Sequence, residues 1–246
     1  MEPARISHSA RSWDSRRRPS SRKWDVSSVT DMKEMFRDAS SFNQPLGKWD
    51  VSGVVKAWNM FEGALSFNQP LEKWKWGKDE DGEGYLTDMQ GMFKGAKSFN
   101  QPLGKWDVSS VTDMHSMFAG AESFNQPLQR WDVSSVTGMG GLFGGAKSFN
   151  QPLEKWDVSC VTDMKEMFRD ASSFNQPLEK WDVSSVKEIK EMFKGAKSFN
   201  QPLEKLDVSN VRGITPQISG QISTNGEAYK FLPAEHRRNY LFSNKE

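Results

Sequence analysis

The residues able to do chemistry are few and scattered along the chain. The 246 residues include three histidines and one cysteine, Cys160. His8, His115 and His236 occupy unrelated positions in the repeat described below, so we expect no clustered metal site. Neither a Ser-His-Asp arrangement, a phosphate-binding glycine loop nor a dinucleotide fingerprint is present. The sequence therefore predicts a protein that is not an enzyme and holds no metal or cofactor.

One acidic stretch stands out because it interrupts the regular spacing. Between Trp74 and Tyr85, four carboxylates lie among glycines: Asp79, Glu80, Asp81 and Glu83. Their spacing partly matches a calcium loop, but Gly77 stands where the first ligand would be. Insertions in repeat proteins project from one face, often the binding face. We expect a solvated acidic loop or a contact with a partner here, and a calcium-binding site is the least favoured interpretation.

These residues sit in a chain built from copies of one unit. The phrase Phe-Asn-Gln-Pro-Leu recurs in steps of 25 residues with one step of 32, starting at Phe42, Phe67, Phe99, Phe124, Phe149, Phe174 and Phe199. A tryptophan follows seven residues after all but the last of these phenylalanines, and Leu206 replaces it there. A period of this length indicates a stacked repeat architecture.

The pattern inside one unit predicts two short elements. Leu153, Trp156 and Val158 have the L-x-x-L-x-L spacing typical of a leucine-rich-repeat strand. Apolar residues at 161, 164, 168 and 171 then follow in steps of three, four and three, which favours one face of a short helix. We predict an α/β fold: a leucine-rich-repeat-like right-handed solenoid with one short parallel strand and one short helix per 25-residue coil.

Alternation along the predicted strand places two charged columns on its outer face. Trp156 and Val158 should point inward, and Lys155 and Asp157 outward. The central members of the candidate binding face are Lys105, Arg130, Lys155 and Lys180 in one column, and Asp107, Asp132, Asp157 and Asp182 in the other. The columns are read either as a self-neutralising solvated surface or as a polar docking surface. The asparagines of the phrase are expected to satisfy backbone groups at coil corners.

Composition limits the partners. Lys and Arg (33) nearly balance Asp and Glu (32), so no net field attracts nucleic acid or an anionic membrane. No run approaches the length of a membrane span, and residues 1–23 lack the apolar core of a secretory signal. Specific partners must therefore be inferred from local patterns in the sequence.

A known family carries a similar unit. The repeat resembles that of BspA-type leucine-rich-repeat surface proteins, on the residues W-D-V-S-S-V-T-D-M-x-x-M-F-x-x-A-x-S-F-N-Q-P-L. The resemblance covers residues 24 to about 211 and implies a solenoid used for adhesion or protein binding at a cell surface.

The expected organisation has three parts: a basic, disordered arm over 1–23, the repeat region over 24–211 with an insertion near 75–84, and a capping tail over 212–246. The expected function is a non-enzymatic binding module. A structural spacer, or a fragment of a longer surface or matrix array, remains the alternative, because residues 24–46 and 156–178 differ only at Ser28 and Cys160.

Overall fold

The repeats pack directly on one another. The computed structural model describes residues 24–77, 85–203 and 206–211, so the predicted arm and the whole of the predicted tail lie outside the described residues. Each buried aromatic ring stacks on its equivalent in the next repeat: the Phe118 and Phe143 centroids are 5.7 Å apart, and those of Phe143 and Phe168 are also 5.7 Å apart. The apolar core is therefore a set of continuous columns that run through the stack.

Regular helices and strands do not form in the described residues. Turns follow one another instead, and the parallel pairing between repeats consists of isolated bridges. The bridges join Asp31 to Lys56, Asp88 to Asp113, Asp113 to Gly138, Gly138 to Asp163, and Asp163 to Glu188. The segment 153–158 forms no regular strand and contains one turn at Glu154 and Lys155, and the helix predicted over 161–171 is replaced by turns. The right-handed solenoid itself stays a prediction.

Backbone conformation explains why the apolar spacing does not produce a helix. Glu166 and Asp170 both have φ of 57°, in the left-handed region that interrupts a right-handed helix. Gly141 and Gly145, their equivalents one repeat earlier, have φ of 64° and 69° without the steric penalty of a Cβ atom. Two left-handed residues per repeat thus keep this segment a series of turns.

The same segment forms hydrogen bonds alternately within its repeat and to the next one. The Met167 N–H donates to Met164 O at 3.2 Å, which closes a turn. The Phe168 N–H donates instead to Met192 O of the following repeat, at 2.9 Å. Because odd and even positions take the two kinds of bond in turn, the buried backbone polar groups are paired without a helix or a sheet.

The tryptophan column joins apolar packing to a hydrogen bond. Trp156 is 3% exposed, and its Nε1 donates to the Leu128 carbonyl at 3.0 Å. The same bond to the leucine of the preceding repeat is made by Trp74, Trp106, Trp131 and Trp181. The burial of Trp156 and Val158 and the exposure of Lys155 and Asp157 confirm the predicted inward and outward alternation.

The asparagines form a second column between repeats. Asn125 Oδ1 accepts hydrogen bonds from the Asn150 N–H at 2.9 Å and from Gln151 Nε2 at 3.0 Å. The same pair of bonds recurs at each of the other steps from Asn43 to Asn200. The predicted structural role of this amide, satisfying backbone donors at a corner, is confirmed.

The insertion leaves the tryptophan column intact. Trp74 is 1% exposed and stacks on Trp106 with a centroid distance of 6.3 Å. Trp76, which stands where other repeats have valine, packs edge-on against both rings at 5.5 and 5.1 Å. The predicted placement of Trp74 in the column is confirmed, and residues 78–84 of the insertion lie outside the described residues.

Replacing Trp156 by alanine should destabilise the stack by about 3–5 kcal/mol, because it removes a buried ring and leaves the Leu128 carbonyl without its donor. Thermal and urea unfolding followed by circular dichroism would measure the change. Trp24→Ala is the matched control, because Trp24 is 41% exposed and should cost much less. An equal decrease in unfolding free energy for the two variants would show that the packing and hydrogen bond of Trp156 between repeats contribute nothing special, and would contradict this prediction.

Candidate functional site

The two charged columns lie on the surface, as predicted. Their central members are all exposed: Lys105, Arg130, Lys155, Lys180, Asp107, Asp132, Asp157 and Asp182. We call this surface the Lys/Asp face. The buried tryptophan between each cation and its aspartate anchors both side chains to the core. The face is therefore held in place by the buried tryptophan column.

Each aspartate of the face is fixed by a serine two residues later. Asp157 Oδ1 accepts bonds from Ser159 Oγ at 2.6 Å and from the Ser159 N–H at 3.0 Å. These two bonds lower the pKa of Asp157, while burial and the carboxylates of Asp132 and Asp182 oppose the shift to a smaller extent. Hydrogen bonds to their serines likewise lower the pKa of Asp132 and Asp182. The aspartates thus form a row of side chains held in place by local hydrogen bonds.

Two of the four central cations of the face pair with glutamate, and neither pairs with the aspartate column. Lys105 Nζ lies 3.2 Å from a Glu72 carboxylate oxygen, and Lys180 Nζ lies 3.2 Å from Glu154. Among the described residues, no ion pair joins the lysine column to the aspartate column. Repulsion between the stacked lysines is therefore relieved in part by these glutamates, which belong to neither column. The short aspartate side chain already accepts hydrogen bonds from its serine, whereas the longer glutamate side chain extends to the lysine of the next repeat.

The second predicted site lies outside the described residues. Asp79, Glu80, Asp81 and Glu83 all belong to the segment 78–84. A cavity of about 320 Å³ adjoins the segment and is bordered by Trp76, Tyr85 and Asp107. The role of the four carboxylates as a partner contact stays a prediction.

A cluster that the sequence analysis missed lies around His115. Its Nδ1 is 2.7 Å from Asp113 Oδ1, and its Nε2 is 3.1 Å from Asp163 Oδ2, two repeats further along the chain. The intervening repeat carries Gly138 and Gly140 at the positions facing the ring. A Cβ atom on Gly138 would come within 2.2 Å of His115 Cε1, and one on Gly140 within 2.8 Å of Cδ2. The two glycines therefore make the room that lets one imidazole link three repeats.

The carboxylates stabilise the charged imidazole. The hydrogen bond to Asp113 is the largest cause that raises the pKa of His115 to about 9, with partial burial opposing and Asp163 adding to the rise. Burial raises the pKa of Asp113, but hydrogen bonds from His115 outweigh it and leave the pKa lowered. Asp88 lies one repeat further back in the same column, and burial raises its pKa. At neutral pH, His115 is thus a cation within an acidic column.

The sequence did contain a signal for this cluster. Gly138 and Gly140 replace the aspartate and the polar residue found in neighbouring repeats, immediately after the one repeat that has a histidine. The relation of His115 to these glycines is visible only when equivalent positions of different repeats are compared.

The part of the chain that the structure describes holds no group of three or more His, Cys, Asp or Glu that could bind a metal ion. Cys160 is exposed at a position that serine occupies in most other repeats.

The His115 cluster predicts a pH-dependent contribution to stability. The pKa of His115 is raised in the folded chain, so its stabilisation is complete below about pH 6.5 and disappears as pH rises through about 9. After discounting for solvent screening of a side chain that is 31% exposed, the contribution is about 1–2 kcal/mol. Urea unfolding of the wild type and of His115→Gln, at pH values on both sides of this window, would measure it.

The two proteins should differ in unfolding free energy at pH 6 and become similar above pH 9. Gly138→Ala, which displaces the ring without removing it, should reduce the pH dependence in the same direction. A wild-type to His115→Gln difference that stays constant with pH would contradict the assignment. Lys165→Gln, which alters a cation at the equivalent position two repeats away, is the matched control.

Comparison with known proteins places the repeat in a family. The family model described as "Mycoplasma protein of unknown function, DUF285" matches residues 18–86, 83–159 and 128–231. Neither the curated proteins nor the solved structures contain a match to the chain. None of the described residues forms a helix with the length and apolar character needed to cross a membrane. Three overlapping matches that together extend from residue 18 to residue 231 leave little of the chain uncovered, and the protein belongs to the DUF285 repeat family.

Proposed function

We propose that the protein is a non-enzymatic binding module whose Lys/Asp face docks a protein or cell-surface partner. The observation that carries this proposal is the regular display of Asp107, Asp132, Asp157 and Asp182. Each is exposed and fixed by its serine, so little entropy would be lost in ordering it on binding. The likeness of the repeat to BspA-type surface proteins supports the same role.

The repeated geometry favours an extended partner over a small molecule. Equivalent rings in adjacent repeats are about 6 Å apart, as for Trp131 and Trp156 at 6.5 Å, so neighbouring carboxylates follow a similar step. A long surface with one functional group per step suits a ligand that is itself extended. We propose that affinity is distributed over several repeats, each making a modest contribution.

The solenoid architecture is part of the proposal. Columns of stacked rings, a continuous asparagine column and parallel bridges between equivalent positions all support an array in which each repeat contacts its neighbours. Such an array presents one side of every repeat in the same direction. A right-handed path with a concave or flat docking side is the arrangement we propose.

Charge reversal of the face tests the function. The triple variant Asp107→Lys, Asp132→Lys, Asp157→Lys should lose at least about tenfold in the capture of partners from the protein's own cells, because three fixed carboxylates become cations. Quantitative mass spectrometry of captured proteins, with circular dichroism to verify folding, would measure the effect. The matched control reverses Asp38 and Asp170, which are exposed carboxylates outside the two columns. Equal capture by the triple variant and the wild type would contradict the use of this face and favour the spacer role.

A deletion variant separates the face from the insertion. Removing residues 77–83 restores the 25-residue step between Phe67 and Phe99, and should change stability little because shortening a loop reduces its closure entropy. Under the proposal, the deletion variant still captures the partner. Loss of capture in the deletion variant alone would move the site to Asp79, Glu80, Asp81 and Glu83.

A further inference from the structure

The position two residues before each tryptophan controls the charge balance of the Lys/Asp face. Where this residue is Glu72 or Glu154, its carboxylate pairs with the lysine of the next repeat, Lys105 or Lys180, at 3.2 Å. Both pairs have the same geometry although they lie three repeats apart. A glutamate at this position is therefore the partner that the repeat itself provides for the next cation.

Three described repeats have another residue in place of this glutamate, namely Gly47, Gly104 and Gln129, and the last two are adjacent repeats. Gly104 stands where the glutamate partner of Arg130 would be, and Gln129 stands where that of Lys155 would be. Arg130 and Lys155 are both exposed, and neither forms an ion pair with any residue that the structure describes. The middle of the face thus carries two neighbouring cations without the carboxylates that their equivalents on either side have.

A cavity adjoins the first of these two cations. Its volume is about 280 Å³, it lies beside Arg130, and Pro102, Gly104 and Pro127 form part of its wall. A Cβ atom on Gly104 would lie 3.2 Å from the Pro127 carbonyl, a close contact that glycine avoids. The unpaired cation and the cavity therefore occur at the same place.

Neighbouring acidic groups do not neutralise the pair by direct contact. Asp132 and Asp157 follow the two cations by two residues, and each already accepts bonds from its serine. Glu154 directly precedes Lys155, but it is paired with Lys180. Glu72 borders the cavity but is paired with Lys105. Arg130 and Lys155 are thus open to carboxylates from another molecule.

The spacing indicates what could supply those carboxylates. Each cation immediately precedes its tryptophan, and the rings of Trp131 and Trp156 are 6.5 Å apart. Side chains on alternate residues of an extended peptide are about 6.6–6.8 Å apart and point the same way. An acidic segment with glutamate or aspartate at positions i and i+2 matches this step.

We propose that Arg130 and Lys155 bind two alternate carboxylates of an extended acidic segment in a partner protein. The partner's side chains take the place of the two glutamates that the repeat lacks at 104 and 129. Arginine provides a planar, bidentate site for one carboxylate, and the cavity beside it admits that side chain. This inference rests on the proposed docking role of the Lys/Asp face and specifies its central contact.

Binding of a defined peptide to the full chain tests the inference. The probe is a fluorescent peptide with alternating glutamate and threonine, and its glutamine counterpart is the peptide control. At about 50 mM salt, where exposed charges are weakly screened, fluorescence anisotropy should show binding of the glutamate peptide only. Arg130→Gln or Lys155→Gln should weaken binding about fivefold, and the double variant about tenfold or more.

Two further variants make the test specific. Lys180→Gln removes the same charge from a lysine that already has Glu154 as its partner, so it should change affinity less than twofold. Gly104→Glu with Gln129→Glu, which restores the repeat's own carboxylates, should abolish binding of the peptide. If this variant does not fold, the peptide affinities of Lys155→Gln and Lys180→Gln still test the inference, because only the first should bind more weakly than the wild type.

Equal losses for Lys155→Gln and Lys180→Gln would overturn the inference, because they would indicate general charge attraction. No binding of the glutamate peptide to the wild type would also overturn it, as would tighter binding of a sulfated oligosaccharide at the same residues. Failure of this inference can be distinguished from failure of the proposed docking role. If partner capture depends on the aspartates but is unchanged in Arg130→Gln and Lys155→Gln, only this inference fails.

Discussion

The structure depends on hydrogen bonds that each repeat can complete only with its neighbour. The side-chain oxygen of Asn125 accepts two bonds from the next repeat, and the indole of Trp156 donates to a carbonyl of the previous one. A buried polar group left without its partner costs about 1–3 kcal/mol, so a slip of register by one residue would be penalised at every repeat. The register of equivalent residues follows from this constraint, and it is kept even across the 32-residue step, where Asn68 accepts the bond from the Asn100 N–H.

This constraint also explains how a polar sequence forms a core. The apolar side chains are few and large, and each ring is covered by its equivalents above and below rather than by a second layer of structure. Backbone groups are shared between turns inside a repeat and bonds to the next repeat, so no helix is required. The outer face is then repeated in the same step as the core, and small changes in one copy alter the face without altering the fold. Gly104 and Gln129 are such changes on the Lys/Asp face, and Gly138 and Gly140 are such changes around His115.

Burial was predictable from the sequence, whereas backbone conformation was not. The spacing of Val161, Met164, Phe168 and Ala171 correctly predicted that all four are buried, since a hydrophobic pattern reports which side chains face the core. The same spacing suggested a helix because it takes no account of the left-handed conformations at 166 and 170. The outward columns were predictable for the same reason as the buried ones. The Lys–Glu pairs and the His115 cluster were not, because they join residues of different repeats and appear only when equivalent positions are compared in register.

Native-state hydrogen exchange of Asn125→Ala tests the dependence on inter-repeat bonding most directly. The substitution removes the acceptor for the Asn150 N–H and for Gln151 Nε2 while leaving the apolar columns unchanged. The account predicts that the Asn150 amide loses most of its protection and that amides in the repeats next to it lose less. The bond from the Asn68 N–H to Asn43, further along the stack, is unaffected. Wild-type protection at Asn150 in the variant, or an equal loss of protection along the whole chain, would contradict the claim that neighbour-to-neighbour hydrogen bonds hold the repeats in register.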